Sequence, residues 1–232
     1  MSVRRKSNNN TMQIRLDDLL EYDPITANQE KAYTAWDEDY HLVLAGSAGT
    51  GKTFMGMYLG LEYVLDPNTS ADKLVIVRSM VPTRDMGFLP GSKADKEDAF
   101  LSPYRAIAHE LFGDTSSYNK GVSAKKIEFT STSYIRGLTL DNCVVLVDEM
   151  QNLNFHELDS MITRVGRNSR VIFCGDYRQS DFQRADEKEG IIKFLTIVEH
   201  LQKFEVIHFG WEDIVRSDFV RDYIMTKEML GL

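Results

Sequence analysis

The sequence predicts an α/β fold: three layers, α/β/α, around a central and mainly parallel sheet. Three observations predict it. Five short apolar runs are continuous instead of alternating, the pattern of strands buried on both faces. Helical patterns fall between them, which implies βαβ units with right-handed crossovers. A glycine-rich turn joins the first run to a long helical segment.

Along the chain, residues 1–12 are polar and basic, with Arg4, Arg5, Lys6 and three Asn, and read as a flexible tail. Ser7-Asn8-Asn9-Asn10 follows Arg4-Arg5 where a secretion signal would need an apolar stretch. Residues 13–232 read as one domain, with no repeat and no linker. Thr26-Ala27-Asn28-Gln29 has capping-box spacing and predicts a helix over 27–36. The first strand is His41-Leu42-Val43-Leu44-Ala45, and a helix over 52–64 follows the glycine turn. Leu74-Val75-Ile76-Val77 is the second strand, and a helix over 99–112 follows. Val144-Val145-Leu146-Val147 is the third strand, after which Asn154-Phe155-His156-Glu157 caps a helix to about 165. Val171-Ile172-Phe173-Cys174 and Val206-Ile207-His208-Phe209 complete the strands, and helices over 188–201 and 217–230 complete the set. The stretches 79–98 and 113–126, rich in Gly, Ser, Lys and Asp, read as loops of a length that is often functional.

Composition narrows the class. The chain has 232 residues, 43% hydrophobic and 27% charged, enough to bury a core without staples. It holds no apolar run of about 18 residues, so no membrane-spanning helix is expected. Cys143 and Cys174 are too few for a disulfide framework and sit in apolar runs; reduced thiols and a cytoplasmic location are expected. The net charge of −8 disfavours coating nucleic acid by bulk charge and leaves room for a local basic groove. Two nucleotide-binding lobes of about 150 residues each do not fit.

Gly46-Ser47-Ala48-Gly49-Thr50-Gly51-Lys52-Thr53 matches G-x-x-x-x-G-K-[ST] between a strand and a helix. Glycines let backbone N–H groups curl around phosphate oxygens, and the helix N-terminus adds partial positive charge. Lys52 is expected at the β- and γ-phosphates of ATP, and the Thr53 hydroxyl on Mg2+. A second apolar strand ends in Asp148-Glu149. Asp148 is the second expected Mg2+ residue, and Glu149 orients or deprotonates the attacking water. The strand at 74–77 is expected between the phosphate-loop strand and the Asp148 strand, an insertion suited to the ATPase branch of phosphate-loop folds. Asn119-Lys120-Gly121-Val122 lacks the Asp of a guanine reader. Gly175-Asp176-Tyr177-Arg178-Gln179 follows the next strand, where the Gln179 amide reports hydrolysis or is simply an exposed turn residue. Gln29 is an adenine reader or a helix-capping amide.

These residues together resemble the PhoH family of ATPases, from about Gln29 to Arg216. The resemblance includes Gly46–Thr53, Gly87-Phe88-Leu89-Pro90-Gly91, Pro103-Tyr104 and Tyr134-Ile135-Arg136-Gly137-x-Thr139. It continues through Asp148-Glu149-Met150-Gln151-Asn152, Thr163-Arg164-x-Gly166, Gly175-Asp176-x-x-Gln179-x-Asp181 and Asp213-Ile214-Val215-Arg216. Asp148-Glu149-x-Gln151 and Gly175-Asp176-x-x-Gln179 are also similar to motifs II and III of superfamily 1 helicases. The resemblance implies a RecA-like core that hydrolyses ATP, more firmly than it implies unwinding. The small form resembles stand-alone versions in bacteriophage genomes, which would place it in the host cytoplasm. Met150 stands where the family usually has a small residue, and Ser79 where it often has Pro.

A phosphoryl-transfer site gains from an arginine that neutralises developing charge. With no second lobe in the sequence, a neighbouring subunit in a ring, expected as a hexamer, would supply it. Arg216, Arg136 and Arg164 are the candidates, each of which could equally be a surface ion-pair partner. Single-stranded RNA or DNA is the expected partner: Phe88 and Tyr134 could stack bases, and Lys93, Lys96 and Arg136 could meet phosphates. The same residues also suit a subunit interface or a solvated mixed-charge surface. Trp36 and Trp211 read as packing residues, and His156 as a surface residue. The competing function is a regulatory ATPase whose nucleotide state controls a protein partner. A small-molecule phosphotransferase is disfavoured, because Glu149, Gln151 and Gln179 suit water activation and sensing.

Overall fold

The computed structural model describes residues 14–79, 93–135, 137–176 and 185–231, with backbone alone for 93–97 and 185–188. The expected tail over 1–12, and the roles given to Phe88, Arg136 and Gln179, lie outside the described residues, as do the Lys93 and Lys96 side chains. In chain order the elements are α1 (Ala27–Asp37), β1 (His41–Gly46), α2 (Lys52–Leu65), β2 (Lys73–Arg78), α3 (Lys93–Phe112), α4 (Ser117–Ser123) and β3 (Ile127–Ser131). They continue with α5 (Thr132–Ile135), β4 (Cys143–Asp148), α6 (Phe155–Arg164), β5 (Arg170–Gly175), α7 (Ala185–Glu199), β6 (Phe204–Phe209) and α8 (Asp218–Met229).

The six strands form one sheet in the order β3-β2-β4-β5-β1-β6, and every pairing is parallel. Successive side chains point to opposite faces. Leu42, Leu44, Leu74, Ile76, Val144 and Leu146 therefore meet α1 to α4, while Val43, Ala45, Val75, Val77, Val145 and Val147 meet α5 to α7. Because all strands run one way, Gly46, Arg78, Asp148 and Gly175 end on one rim, the end where open parallel sheets bind ligands.

Local chemistry fixes the helix starts. Asn154 and Glu157 exchange side-chain-to-backbone hydrogen bonds of 3.0 Å each, a complete capping box on α6. At α1 the Gln29 N–H donates to Thr26 Oγ1, but Gln29 Oε1 accepts from Ile25 N–H, one residue beyond the box.

Three expectations are corrected. There are six strands instead of five among the described residues: β3 is an edge strand in which Glu128 is exposed and pairs with Lys73 at 2.6 Å, so it lacks a continuous apolar run. The expected loop over 113–126 contains α4, and α3 begins at Lys93, inside the other expected loop. The strand between the phosphate-loop strand and the Asp148 strand is β5, whereas β2 lies beyond β4. The insertion is present, but order in sequence is not order in the sheet.

Candidate nucleotide site

Gly46 ends β1 at φ +132°, and a Cβ there would sit 2.1 Å from the Phe209 carbonyl oxygen of β6. Only glycine lets the chain turn away from the sheet at this point. The loop then closes over its own lysine. Lys52 Nζ donates to the carbonyls of Gly46 at 2.8 Å and Ser47 at 2.6 Å, and to Thr50 Oγ1 at 3.2 Å. Burial lowers the Lys52 ammonium pKa, while Asp176, Cys174, Glu149 and Asp148 pull it back up.

At the second residue of α2, Thr53 Oγ1 donates to Asp148 Oδ1 at 2.8 Å. The other Asp148 oxygen, Oδ2, accepts from the buried Tyr104 hydroxyl of α3, also at 2.8 Å. Burial, then the Asp148 charge, pushes the Tyr104 phenol far up, so it remains a donor. A hydroxyl and a carboxylate oxygen at a strand tip are hard donors of the kind Mg2+ takes. Among the described residues no group of three or more His, Cys, Asp or Glu is placed to hold a metal ion.

Glu149 is held at φ 53°, ψ 46°, a left-handed conformation rare for a residue with a side chain and typical of strained functional turns. The Gln151 amide donates to Glu149 Oε2 and accepts from the Asp176 N–H at 3.1 Å. Gln151 thus ties the carboxylate to the end of β5. Burial, then Asp148, raises the Glu149 pKa above its ordinary value; Arg78, Gln151 and Lys52 oppose the rise.

The C-terminal segment clamps the loop from its other side. Ser47 N–H donates to the Phe209 carbonyl at 3.2 Å, and Val215 N–H donates to the Gly49 carbonyl at 3.0 Å. Glu228 Oε2 on α8 accepts from the Ser47 hydroxyl at 3.1 Å and from the Trp211 indole N–H. A Cβ at Gly49 would approach the Arg216 Cγ at 3.1 Å and Ile224 at 3.3 Å. Arg216 therefore lies on the phosphate loop of its own chain. It comes there because β6 runs beside β1, so the residues after β6 land on the loop after β1.

The family described as PhoH-like protein matches residues 21–227. The chain belongs to the PhoH family. It is 33% identical over 184 residues to a PhoH-like protein of Synechocystis sp., covering 79% of this chain and 55% of that one. It is 32% identical over 199 residues to the protein PhoH of Escherichia coli, covering 84% and 55%. The chain thus spans about half the length of the curated relatives it matches. Among solved structures it is similar to the large terminase from a thermophilic bacteriophage, with 12% identity, TM-score 0.49 and coverage of 87% of this chain and 50% of that one. It is likewise similar to the Pyrococcus furiosus Hef helicase domain, with 12% identity, TM-score 0.47 and coverage of 80% and 38%.

The PhoH chain has the RecA-like arrangement, with β5 between the phosphate-loop strand and the strand that ends in Asp148. It brings together the expected Gly46–Thr53 loop, Lys52, Thr53, Asp148 and Glu149, with the expected Arg216 beside Gly49. Gln29 is a brace: its Nε2 donates to the Thr50 carbonyl at 3.3 Å while its Oε1 caps the turn before α1. Arg164 is not at the site. It ends α6, which runs back to the opposite rim, where Leu140 N–H donates to its carbonyl. Tyr134 and His156 are exposed and Trp36 is buried, as expected, but Trp211 is more than packing. Sequence reasoning gave no role to Tyr104, Arg78 or Glu228. Tyr104 stood inside the Pro103-Tyr104 block, and that block was the signal available.

Proposed function

We propose that residues 13–232 form one ATPase unit that binds ATP with Mg2+ and hydrolyses it, coupling turnover to a single-stranded RNA or DNA. The observation that carries the reading is the 2.8 Å contact between Thr53 and Asp148, which joins the phosphate loop to the carboxylate pair. Lys52 exchanges its loop carbonyls for β- and γ-phosphate oxygens. Thr53 and Asp148 would hold Mg2+, which supplies charge neutralisation on those oxygens when bound. Glu149 accepts a proton from water as the water oxygen attacks the γ-phosphorus and the bond to the ADP oxygen breaks. Gln151 holds Glu149 in place. Arg216 acts on the nucleotide of its own chain, beside Gly49, and Gln29, which donates to the Thr50 carbonyl, lies on the adenine side.

Support for a nucleic-acid partner comes from Tyr134, 65% exposed on α5 at the rim where the strands end. An exposed ring there suits base stacking. Support for self-association, with a ring as the closed form, comes from α8, whose Phe219, Tyr223 and Met229 all face solvent. Steady-state ATPase rate with and without single-stranded RNA or DNA tests the reading. Salt-sensitive stimulation is expected, and Glu149→Gln should lower turnover by about 10²–10⁴ while sparing ATP binding. A rate indifferent to nucleic acid favours the regulatory ATPase instead.

A further inference from the structure

We infer that Tyr104 is a positioning residue for the metal-binding carboxylate, holding Asp148 in the rotation that presents Oδ1 to Thr53. The inference rests on the nucleotide reading above. An aspartate rotates about its last side-chain bond in a broad, nearly two-fold well, so one hydrogen bond leaves its orientation loose. Here both oxygens are held, Oδ1 by Thr53 and Oδ2 by Tyr104, each at 2.8 Å. Tyr104 itself has little freedom. Its ring is buried in the sheet-facing side of α3 and lies 5.7 Å, centroid to centroid, from Phe129 of β3. Its hydroxyl has one proton, and that proton goes to Asp148.

The placement follows from the sheet. β2 and β4 are adjacent, and Arg78 at the end of β2 is in register with Asp148. The Arg78 guanidinium stands beside Tyr104 and over the Phe100 ring at 5.9 Å, so the end of β2 and two rings of α3 and β3 form the wall against Asp148. Partners of metal-ligating carboxylates matter nearly as much as the ligands, and losing one typically costs about 10–100-fold in metal affinity. Among the described residues Tyr104 is where α3 hydrogen-bonds to Asp148, so a shift of α3 reaches that carboxylate through one hydroxyl.

The test is calorimetric titration of ADP, with no turnover required, across a series of free Mg2+ concentrations and in EDTA. Tyr104→Phe keeps the ring and removes the hydroxyl; Leu111→Val disturbs the packing of α3 on the same core and keeps the hydroxyl. Tyr104→Phe is expected to need about 10-fold or more Mg2+ for half its gain in ADP affinity. Its affinity in EDTA should match wild type, and Leu111→Val should follow the wild-type Mg2+ curve. A wild-type Mg2+ curve for Tyr104→Phe overturns the inference, and so does an equal loss of affinity in EDTA, which marks a merely structural role. A wild-type chain that binds no ADP at any Mg2+ concentration overturns the nucleotide reading itself, and the inference with it.

Discussion

Two buried cations sit at opposite rims of the sheet, and they look alike by burial alone. Lys52 is 9% exposed and Arg170 is 7% exposed, and both donate to backbone carbonyls. Their partners differ. Arg170 Nη2 reaches the Trp36 carbonyl at 2.6 Å and the Tyr40 carbonyl at 2.8 Å, tying the end of α1 to the start of β5. Its guanidinium lies 3.4 Å from the Trp36 ring centroid and 5.0 Å from that of Tyr63. Lys52 has no ring over it among the described contacts, and its three acceptors all lie within the loop that precedes it. Arg170 joins parts of the chain 130 or more residues apart through bonds that lie far from the phosphate loop. Lys52 holds provisional bonds beside Asp148, Glu149 and Asp176. Burial does not separate a functional cation from a structural one; the span and the replaceability of its partners do.

The contrast can be broken at either end. Lys52→Ala removes charge-assisted bonds to phosphate worth about 1.5–3 kcal/mol each, so ATP affinity should fall about 100-fold in a binding titration. The melting temperature should hold or rise, because a desolvated charge is removed. Arg170→Met should do the reverse. It removes the guanidinium bonds to the Trp36 and Tyr40 carbonyls, the first of which keeps the Asp39 N–H, and loses a desolvated cation–π contact, costing about 3 kcal/mol. In thermal melts that is a loss of roughly 6–12 °C for a chain of this size, with ATP affinity of the folded protein unchanged. If Lys52→Ala destabilises more than Arg170→Met, the contrast is wrong.

The smallest effect is one of pH. Glu149 must be ionised to act as a base, and burial with Asp148 nearby raises its pKa. The acid limb of turnover should therefore lie above the ordinary glutamate range. Arg78 lowers that pKa, so Arg78→Met should move the limb to higher pH in a pH–rate profile. The sign for stability is opposite. With the folded pKa above the unfolded one, the folded chain holds more protons between the two values, so this group's contribution fades as pH rises through that window.

Much of this was legible in the sequence. The four inner strands announced themselves as continuous apolar runs, since burial on both faces removes alternation, and the edge strand β6 still carries the apolar pair Val206-Ile207. β3 did not, because an edge strand alternates Ile127 and Phe129 with the exposed Glu128. The phosphate loop and Asp148-Glu149 were readable because their chemistry constrains neighbours in sequence. The role of Tyr104 was not, and Arg216 was readable only as one candidate among three, because both placements depend on strands that become neighbours only in the folded sheet. Tyr104 meets a carboxylate 44 residues away, and Arg216 reaches a glycine across β1 and β6.

The bond from Trp211 to Glu228 has an optical consequence. The sequence contains two tryptophans. Trp36 is sealed under Arg170 at the rim far from the phosphate loop. Trp211 shares a carboxylate oxygen with Ser47 of the loop itself. The molecule thus carries one fluorophore wired to the loop and a second that serves as an internal standard. Occupancy of the loop can be read from the protein's own emission, without a label.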